Sequence, residues 1–248
     1  MPRIYTPHAL ACGDELALDA ASARHVQVLR MQPGTALTLF NGQGGEYAAL
    51  VTHMGRSDVR VSVGTHALIE RENSRAVHIA ISMPANERME WLIEKATELG
   101  ATSIQPLMTE RSVVRLSGER AEKKQTHWQA IAVAACEQSG RNRVPTVHPI
   151  QTLPAWLAAT AKRSAALRCV FSVHSASVSA HTFAAQSDAA IECLCGPEGG
   201  LSPAEEAAAL AQGYALVDLG PRVLRSETAP IAALSLWALT LNHSKDSL

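Results

Sequence analysis

Apolar and polar positions follow two different rhythms along this chain. Over roughly the first 70 residues, short apolar runs are broken by turn residues. One run is 36–40, followed by Asn41-Gly42-Gln43-Gly44-Gly45, then 47–51, then 59–63. Asn-Gly between such runs is a hairpin signal, so this part predicts a small β-barrel or β-rich domain. One short helix fits near 21–29. Residues 70–75 are charged and polar, and they set the expected boundary between domains 1–72 and 73–248.

After that boundary, strand and helix patterns alternate. Strands are predicted at 77–82, 103–108, 168–173, 191–195 and 215–219. A helix is predicted over 87–99, with Met89, Leu92, Ile93, Ala96 and Leu99 on one stripe and Gly100 as its stop. A second helix is predicted across 121–138, and helices follow the last two strands. The alternation implies an α/β domain with a mostly parallel sheet.

Composition narrows the class. The chain is 47% apolar and 18% charged, as in a globular protein that water dissolves. No stretch approaches the ~20 apolar residues of a membrane helix. The first residues lack the charged-then-apolar run of a signal peptide, so a cytosolic protein without a membrane partner is expected. Cys12, Cys136, Cys169, Cys193 and Cys195 are odd in number and show no CxxC spacing. They read as buried thiols in a reducing compartment, and no metal site is expected.

A net charge of −1 gives no global field for nucleic acid. Between residues 108 and 145, however, Arg111, Arg115, Arg120, Lys123, Lys124, Arg141 and Arg143 outnumber Glu110, Glu119, Glu122 and Glu137. Such a stretch is either a solvated helix face or a surface for phosphates.

The chemistry concentrates in two loops, 195–201 and 219–228. The strand ending at Cys195 runs into Gly196-Pro197-Glu198-Gly199-Gly200-Leu201, then Ser202, Pro203, Ala204 and Glu205. Ser202 with Glu205 three residues on is a capping box, and Pro203 suits the first helical position. The glycines therefore lie between a strand end and a helix start, where open α/β sheets bind ligands. The spacing is neither GxGxxG nor GxxxxGK[ST], so a phosphate cradle is not expected. The second loop reads Leu219-Gly220-Pro221-Arg222-Val223-Leu224-Arg225-Ser226-Glu227-Thr228, with Ser226 or Thr228 available to cap the last helix. Arg222, Arg225 and Glu227 crowd into six residues. They form either a surface ion pair or part of a site shared with the first loop.

These two loops together resemble the SPOUT methyltransferases, and within them the RsmE family of 16S ribosomal RNA uracil-N3 methyltransferases. Further segments resemble that family in order: Met89-Glu90-Trp91 through Lys95-Ala96-Thr97-Glu98-Leu99-Gly100, Thr109-Glu110-Arg111-Ser112, and 135–143 (Ala-Cys-Glu-Gln-Ser-Gly-Arg-Asn-Arg). His25, Val28-Leu29-Arg30 and Gly34 match its N-terminal domain.

The resemblance implies a PUA-like β-barrel, then a mostly parallel α/β domain with a trefoil knot, and a homodimer. It implies S-adenosylmethionine as cofactor, held against Cys195, Gly196, Glu198, Gly199, Gly200, Leu219, Gly220, Leu224 and Thr228, with a further wall near Val173 and His174. The acceptor is then N3 of a uridine in 16S ribosomal RNA of the small subunit, the one numbered 1498. Arg225 is the expected catalytic group. Arg3, Arg24, Arg30, Arg111, Arg115, Arg141 and Arg143 are expected to contact RNA. Glu137, Glu198 and Glu227 are the carboxylates considered as proton acceptor, and none is assigned. Ribose 2′-O or guanine-N1 methylation, a non-catalytic assembly factor and an unrelated nucleotide-binding enzyme stay open as alternatives.

Overall fold

A computed structural model describes residues 1–56, 58–160, 166–172 and 177–242. Two compact units divide the chain. The first comprises Met1–Glu72 together with Val133–Val144; the second comprises Asn73–Ala132 and Pro145–Leu248.

The first unit is built on a five-stranded mixed sheet. Its elements are β1 (Arg3–Tyr5), β2 (Glu15–Ala17), α1 (Ala20–Val28), β3 (Ala36–Phe40), β4 (Glu46–Met54) and β5 (Val59–Ala67). The sheet order is β1-β3-β4-β5-β2, with β1 parallel to β3 and the remaining pairs antiparallel. Residues 41–45 form the turn between β3 and β4. Two register shifts interrupt the β4–β5 ladder, and such irregularities bend and twist a sheet. Ile4, Val26, Leu37, Leu39, Val59 and Val61 are fully buried in the core beneath it.

Asp19 caps α1 by accepting from the amides of Ala21 and Ser22. The helix ends in a Schellman arrangement: Met31 N donates to Val26 O and Arg30 N to Gln27 O. Glycine usually fills the left-handed position of this motif. Here Arg30 fills it, with φ 53°.

A contiguous 1–72 domain needs one correction. Residues 133–144 join the first unit because polar bonds tie them there. Asn142 Nδ2 donates to Ile69 O (2.6 Å) and to Glu46 Oε2 (3.1 Å). Arg141 Nε donates to Glu72 Oε1 (3.0 Å).

The second unit carries β6 (Val77–Ser82), α2 (Asn86–Glu98), β7 (Ser103–Met108), α3 (Gly118–Ser139, whose last residues belong to the first unit), β8 (Thr146–Val147), β9 (Gln151–Thr152), α4 (Leu153–Thr160) and β10 (Ala166–Phe171). It continues with β11 (Val178–Ser179), α5 (Ala180–Ala184), β12 (Ala190–Cys195), α6 (Pro203–Ala211), β13 (Ala215–Asp218) and α7 (Thr228–Asn242). Its sheet order is β11-β13-β10-β12-β6-β7-β8, with β9 also on β7, and every pairing is parallel. Two strands late in the chain thus flank β10, which precedes both.

The predicted stripe of α2 is buried: Met89, Leu92, Ile93 and Ala96 are at 0% exposure. Gly100 ends the helix at φ +88°, and a Cβ there would run into the Asn73 side-chain amide. That amide already donates to Leu99 O (2.9 Å), so only glycine fits. The capping box of α6 is also present, with Ser202 and Glu205 bonded reciprocally.

Candidate functional site

Three neighbouring parallel strands, β13, β10 and β12, end at one edge of the sheet. The chain leaving each of them bounds a single cleft of about 510 Å³. That volume lies within the ~300–1,000 Å³ usual for small-molecule sites. Phe171 ends β10 and Ser172 follows it, Cys195 ends β12 and residues 196–198, 200 and 201 follow it, and Val217 in β13 is followed by residues 219, 220 and 222–226. The position matches the rule that ligands of open α/β sheets sit beyond the carboxyl ends of the strands.

Seven of the nine residues expected around a cofactor line this cleft: Cys195, Gly196, Glu198, Gly200, Leu219, Gly220 and Leu224. Arg225 lines it too, exposed. Gly199 and Thr228 are not among the lining residues. Gly199 faces Arg111, whose Nη1 donates to its carbonyl (2.7 Å). Thr228 opens α7, its amide bonded to Arg225 O (2.9 Å). Val173 and His174 lie outside the described residues.

The glycines of the two loops are required for two different reasons. A Cβ on Gly196 would come within 2.9 Å of Leu201 N, a backbone atom of the same loop. Gly200 and Gly220 have open space around them, but φ values of +69° and +96° that other residues adopt only under strain. Asp218 Oδ1 accepts from Gly220 N (3.0 Å) and sets the start of the second loop.

The cleft's chemistry is mixed. Phe171, Leu201, Val217 and Leu224 supply apolar wall. Glu198 and Glu206 supply carboxylates, and Arg222 and Arg225 supply guanidinium groups. Burial first, and then the neighbouring Cys193, push the Cys195 thiol well above its ordinary pKa. It is therefore a neutral lining group and not a thiolate nucleophile. The other internal thiols, Cys136, Cys169 and Cys193, are likewise buried and unbridged.

Glu198 and Glu227 share one cationic partner that lies outside both loops. Both turn to Arg88, in the first turn of α2. Its Nη1 is 3.1 Å from Glu198 Oε1 and its Nε 3.6 Å from Glu227 Oε1. Ser226 Oγ donates to Glu227 Oε2 (3.2 Å). Arg88 went unnoticed in the sequence because it reads as one more charge on a solvated helix face. Glu137, by contrast, lies in the first unit. There it accepts from Tyr5 N (2.9 Å) and faces His25 Nδ1 (3.0 Å).

The arginines expected to grip RNA fall into three groups. Arg24, Arg30, Arg115 and Arg143 are exposed. Arg111 is exposed as well, but committed to the glycine loop. Arg3 and Arg141 are corrections. The Arg141 side chain is 3% exposed and its guanidinium is held by Glu72. Arg3 bonds Glu46 at 2.6 Å, stacks over the Phe40 ring and is 13% exposed. Neither presents a free guanidinium to a phosphate, because carboxylates inside the first unit already hold both.

Among the described residues, no group of three or more His, Cys, Asp and Glu could hold a metal ion. No helix among them is long and apolar enough to cross a membrane.

Comparison with known proteins agrees with this geometry. Residues 71–238 match a family model described as an RNA methyltransferase domain, and residues 18–64 match an RNA methyltransferase PUA domain. The ribosomal RNA small subunit methyltransferase E of Bacillus subtilis is 34% identical over 217 residues, covering 85% of this chain and 84% of that one. A structure of the methyltransferase E of Neisseria gonorrhoeae bound to S-adenosylmethionine superposes with a TM-score of 0.88 at 36% identity, over 95% of this chain and 96% of the other. A putative methyltransferase of Legionella pneumophila in complex with the same cofactor gives 0.88 at 35%, with the same coverage.

Proposed function

The chain belongs to the ribosomal RNA small subunit methyltransferase E family, and from that premise we propose that it uses S-adenosylmethionine to methylate N3 of a uridine in 16S ribosomal RNA, the one numbered 1498. The observation that carries this reading is the single cleft walled by the chain leaving β10, β12 and β13. Its residues fit the cofactor. Apolar walls suit an adenine ring, and the glycines of the two loops let backbone groups come close enough to read its edge. The Glu198 and Glu206 carboxylates suit a ligand carrying cationic centres. When bound, the cofactor supplies an electrophilic methyl group on a sulfonium.

The chain's own residues must then orient the base and favour its anion. N3 of uracil is a weak acid on the Watson–Crick edge, so the nucleotide has to be unpaired or extruded. Arg225, exposed at the cleft, is the group we assign to the negative charge that grows on O2 or O4 as the N3 proton leaves. Glu227 is held by Arg88 and Ser226, which suits a structural carboxylate better than a proton acceptor. Arg24, Arg30, Arg115 and Arg143 are the exposed cations we assign to RNA phosphates. A cytosolic homodimer acting on the small subunit completes the reading.

The direct test is nucleoside mass spectrometry of 16S ribosomal RNA from cells with and without the protein. Loss of 3-methyluridine at one position is expected. Loss of a ribose-methylated nucleoside or of 1-methylguanosine overturns the N3 assignment. For the cofactor loop, Gly196→Val should abolish S-adenosylmethionine binding, while Gly199→Ala should leave it measurable by calorimetry. A Cβ at Gly199 meets the Arg111 side chain no closer than 3.5 Å.

A further inference from the structure

Residues 109–112 form a turn at the end of β7, and that turn is held unusually firmly. Ser82 Oγ bonds Ser112 Oγ at 2.8 Å and Thr109 Oγ1 at 2.5 Å. Thr109 and Ser112 bond each other at 2.9 Å, and Thr109 N donates to Ser112 Oγ at 2.8 Å. All three hydroxyls are buried, on residues at most 6% exposed. A fully satisfied buried polar network of this kind fixes one local conformation.

The two residues between Thr109 and Ser112 are thereby aimed at the glycine loop. Glu110 N donates to Glu205 Oε1 (2.8 Å), the same carboxylate that caps α6 through Ser202 N. Arg111 Nη1 donates to Gly199 O (2.7 Å) and Leu201 O (3.4 Å). From the other side, Arg88 holds the Glu198 carboxylate and reaches Glu227 in the second loop. The stretch 196–201 thus has its carbonyls gripped by one arginine and its only charged side chain gripped by another.

We propose that Arg111 and Arg88 are positioning residues that hold the glycine loop in its binding-competent shape, so that Arg111 serves the cofactor and not the RNA. The proposal rests on the cofactor reading above. A loop with three glycines in six residues has large conformational freedom to lose, and a ligand that has to order it binds more weakly. Two charge-assisted grips made before binding remove that cost. Both bonds leave the one Nη1, at the end of the long arginine side chain; lysine keeps the charge but its shorter reach does not place a nitrogen between the two carbonyls, so it restores an electrostatic role and not this one.

The test uses the full chain and S-adenosylmethionine as the probe. Arg111→Ala and Arg88→Ala should each weaken cofactor binding by about tenfold in calorimetry, the size of one charged hydrogen bond. Arg111→Lys should recover little of it. The KM for S-adenosylmethionine should rise, while RNA affinity and its salt dependence stay as in the parent. Parent-like cofactor affinity in Arg111→Ala, or a loss confined to RNA affinity, overturns the proposal. If the parent protein itself binds no S-adenosylmethionine, the cofactor reading fails instead. Thermal unfolding without ligand separates both from misfolding, since each variant should melt within a few degrees of the parent.

Discussion

Two pairs of arginines, one pair in each unit, do opposite work. In the first, Arg3 and Arg141 are drawn inward, where Glu46 and Asn142 hold Arg3 and Glu72 holds Arg141. In the second, Arg222 and Arg225 stand exposed beside a cleft, and no ion pair among the described residues ties them down. A count of cations along the chain treats these four alike. Burial separates them: an internal guanidinium must be paired to be tolerated, whereas an exposed one is available to a ligand. Removing the first kind should cost stability, and removing the second kind should cost chemistry.

The largest effect expected is on stability. Arg141→Ala leaves Glu72 without its partner and vacates a site that is 3% exposed. Breaking a buried pair from one side costs ~3–5 kcal/mol. Denaturant unfolding should show that loss, with cofactor affinity per folded molecule unchanged. A stable Arg141→Ala protein with weakened RNA binding would reverse the assignment and return Arg141 to the RNA surface.

Arg225→Ala is the mirror image. The side chain is exposed, so unfolding should shift by no more than ~0.5 kcal/mol. If it stabilises the uracil anion, kcat should fall by about 10²–10³-fold with little change in the KM for S-adenosylmethionine. A variant that keeps kcat and raises only the KM for RNA would make Arg225 a gripping residue.

Legibility in the sequence follows the same division. Long periodic elements were readable: α2 by its stripe, α6 by its capping box, and β6, β7 and β12 by apolar runs whose ends match within a residue or two. Short strands were not, because β1, β2, β8, β9 and β11 hold two or three residues and carry no period. For α4 a signal existed and was missed: Leu153, Trp156, Leu157 and Thr160 are buried at helical spacing. At the site, the glycines could be placed because a glycine-rich strand-to-helix loop is a local pattern. Arg88 and Glu206 could not, because only the fold brings α2 and α6 to that edge. Nor does periodicity announce that β12 and β13 insert on either side of β10. That order decides which loops meet.

The paired carboxylate of the first unit makes the comparison pH-dependent. Burial alone would raise the Glu46 pKa, but hydrogen bonds from Arg3, Arg71 and Asn142 outweigh it and hold the carboxyl at about 2 against an ordinary 4.5. A carboxyl with a depressed folded-state value contributes stability that is complete above 4.5 and lost as pH falls toward 2. Thermal melts from pH 6 down to pH 2 should therefore show a decline that Glu46→Gln flattens. The same decline in Glu46→Gln would shift the acid sensitivity to another carboxylate.

The smallest effect concerns an exposed arginine of the first unit. Arg30 sits exposed in the left-handed position that closes α1, where a side chain costs ~1–2 kcal/mol relative to glycine. Arg24, also exposed, lies on the same helix. Tolerated strain at an exposed cation is what an RNA contact selected over stability would leave behind. Arg30→Gly should raise unfolding stability by about 1 kcal/mol and weaken RNA binding, with the log–log salt slope reduced by roughly one. Stabilisation without any change in RNA affinity would mean that the strain serves something other than phosphate contact, and would leave Arg24, Arg115 and Arg143 as the assigned phosphate contacts.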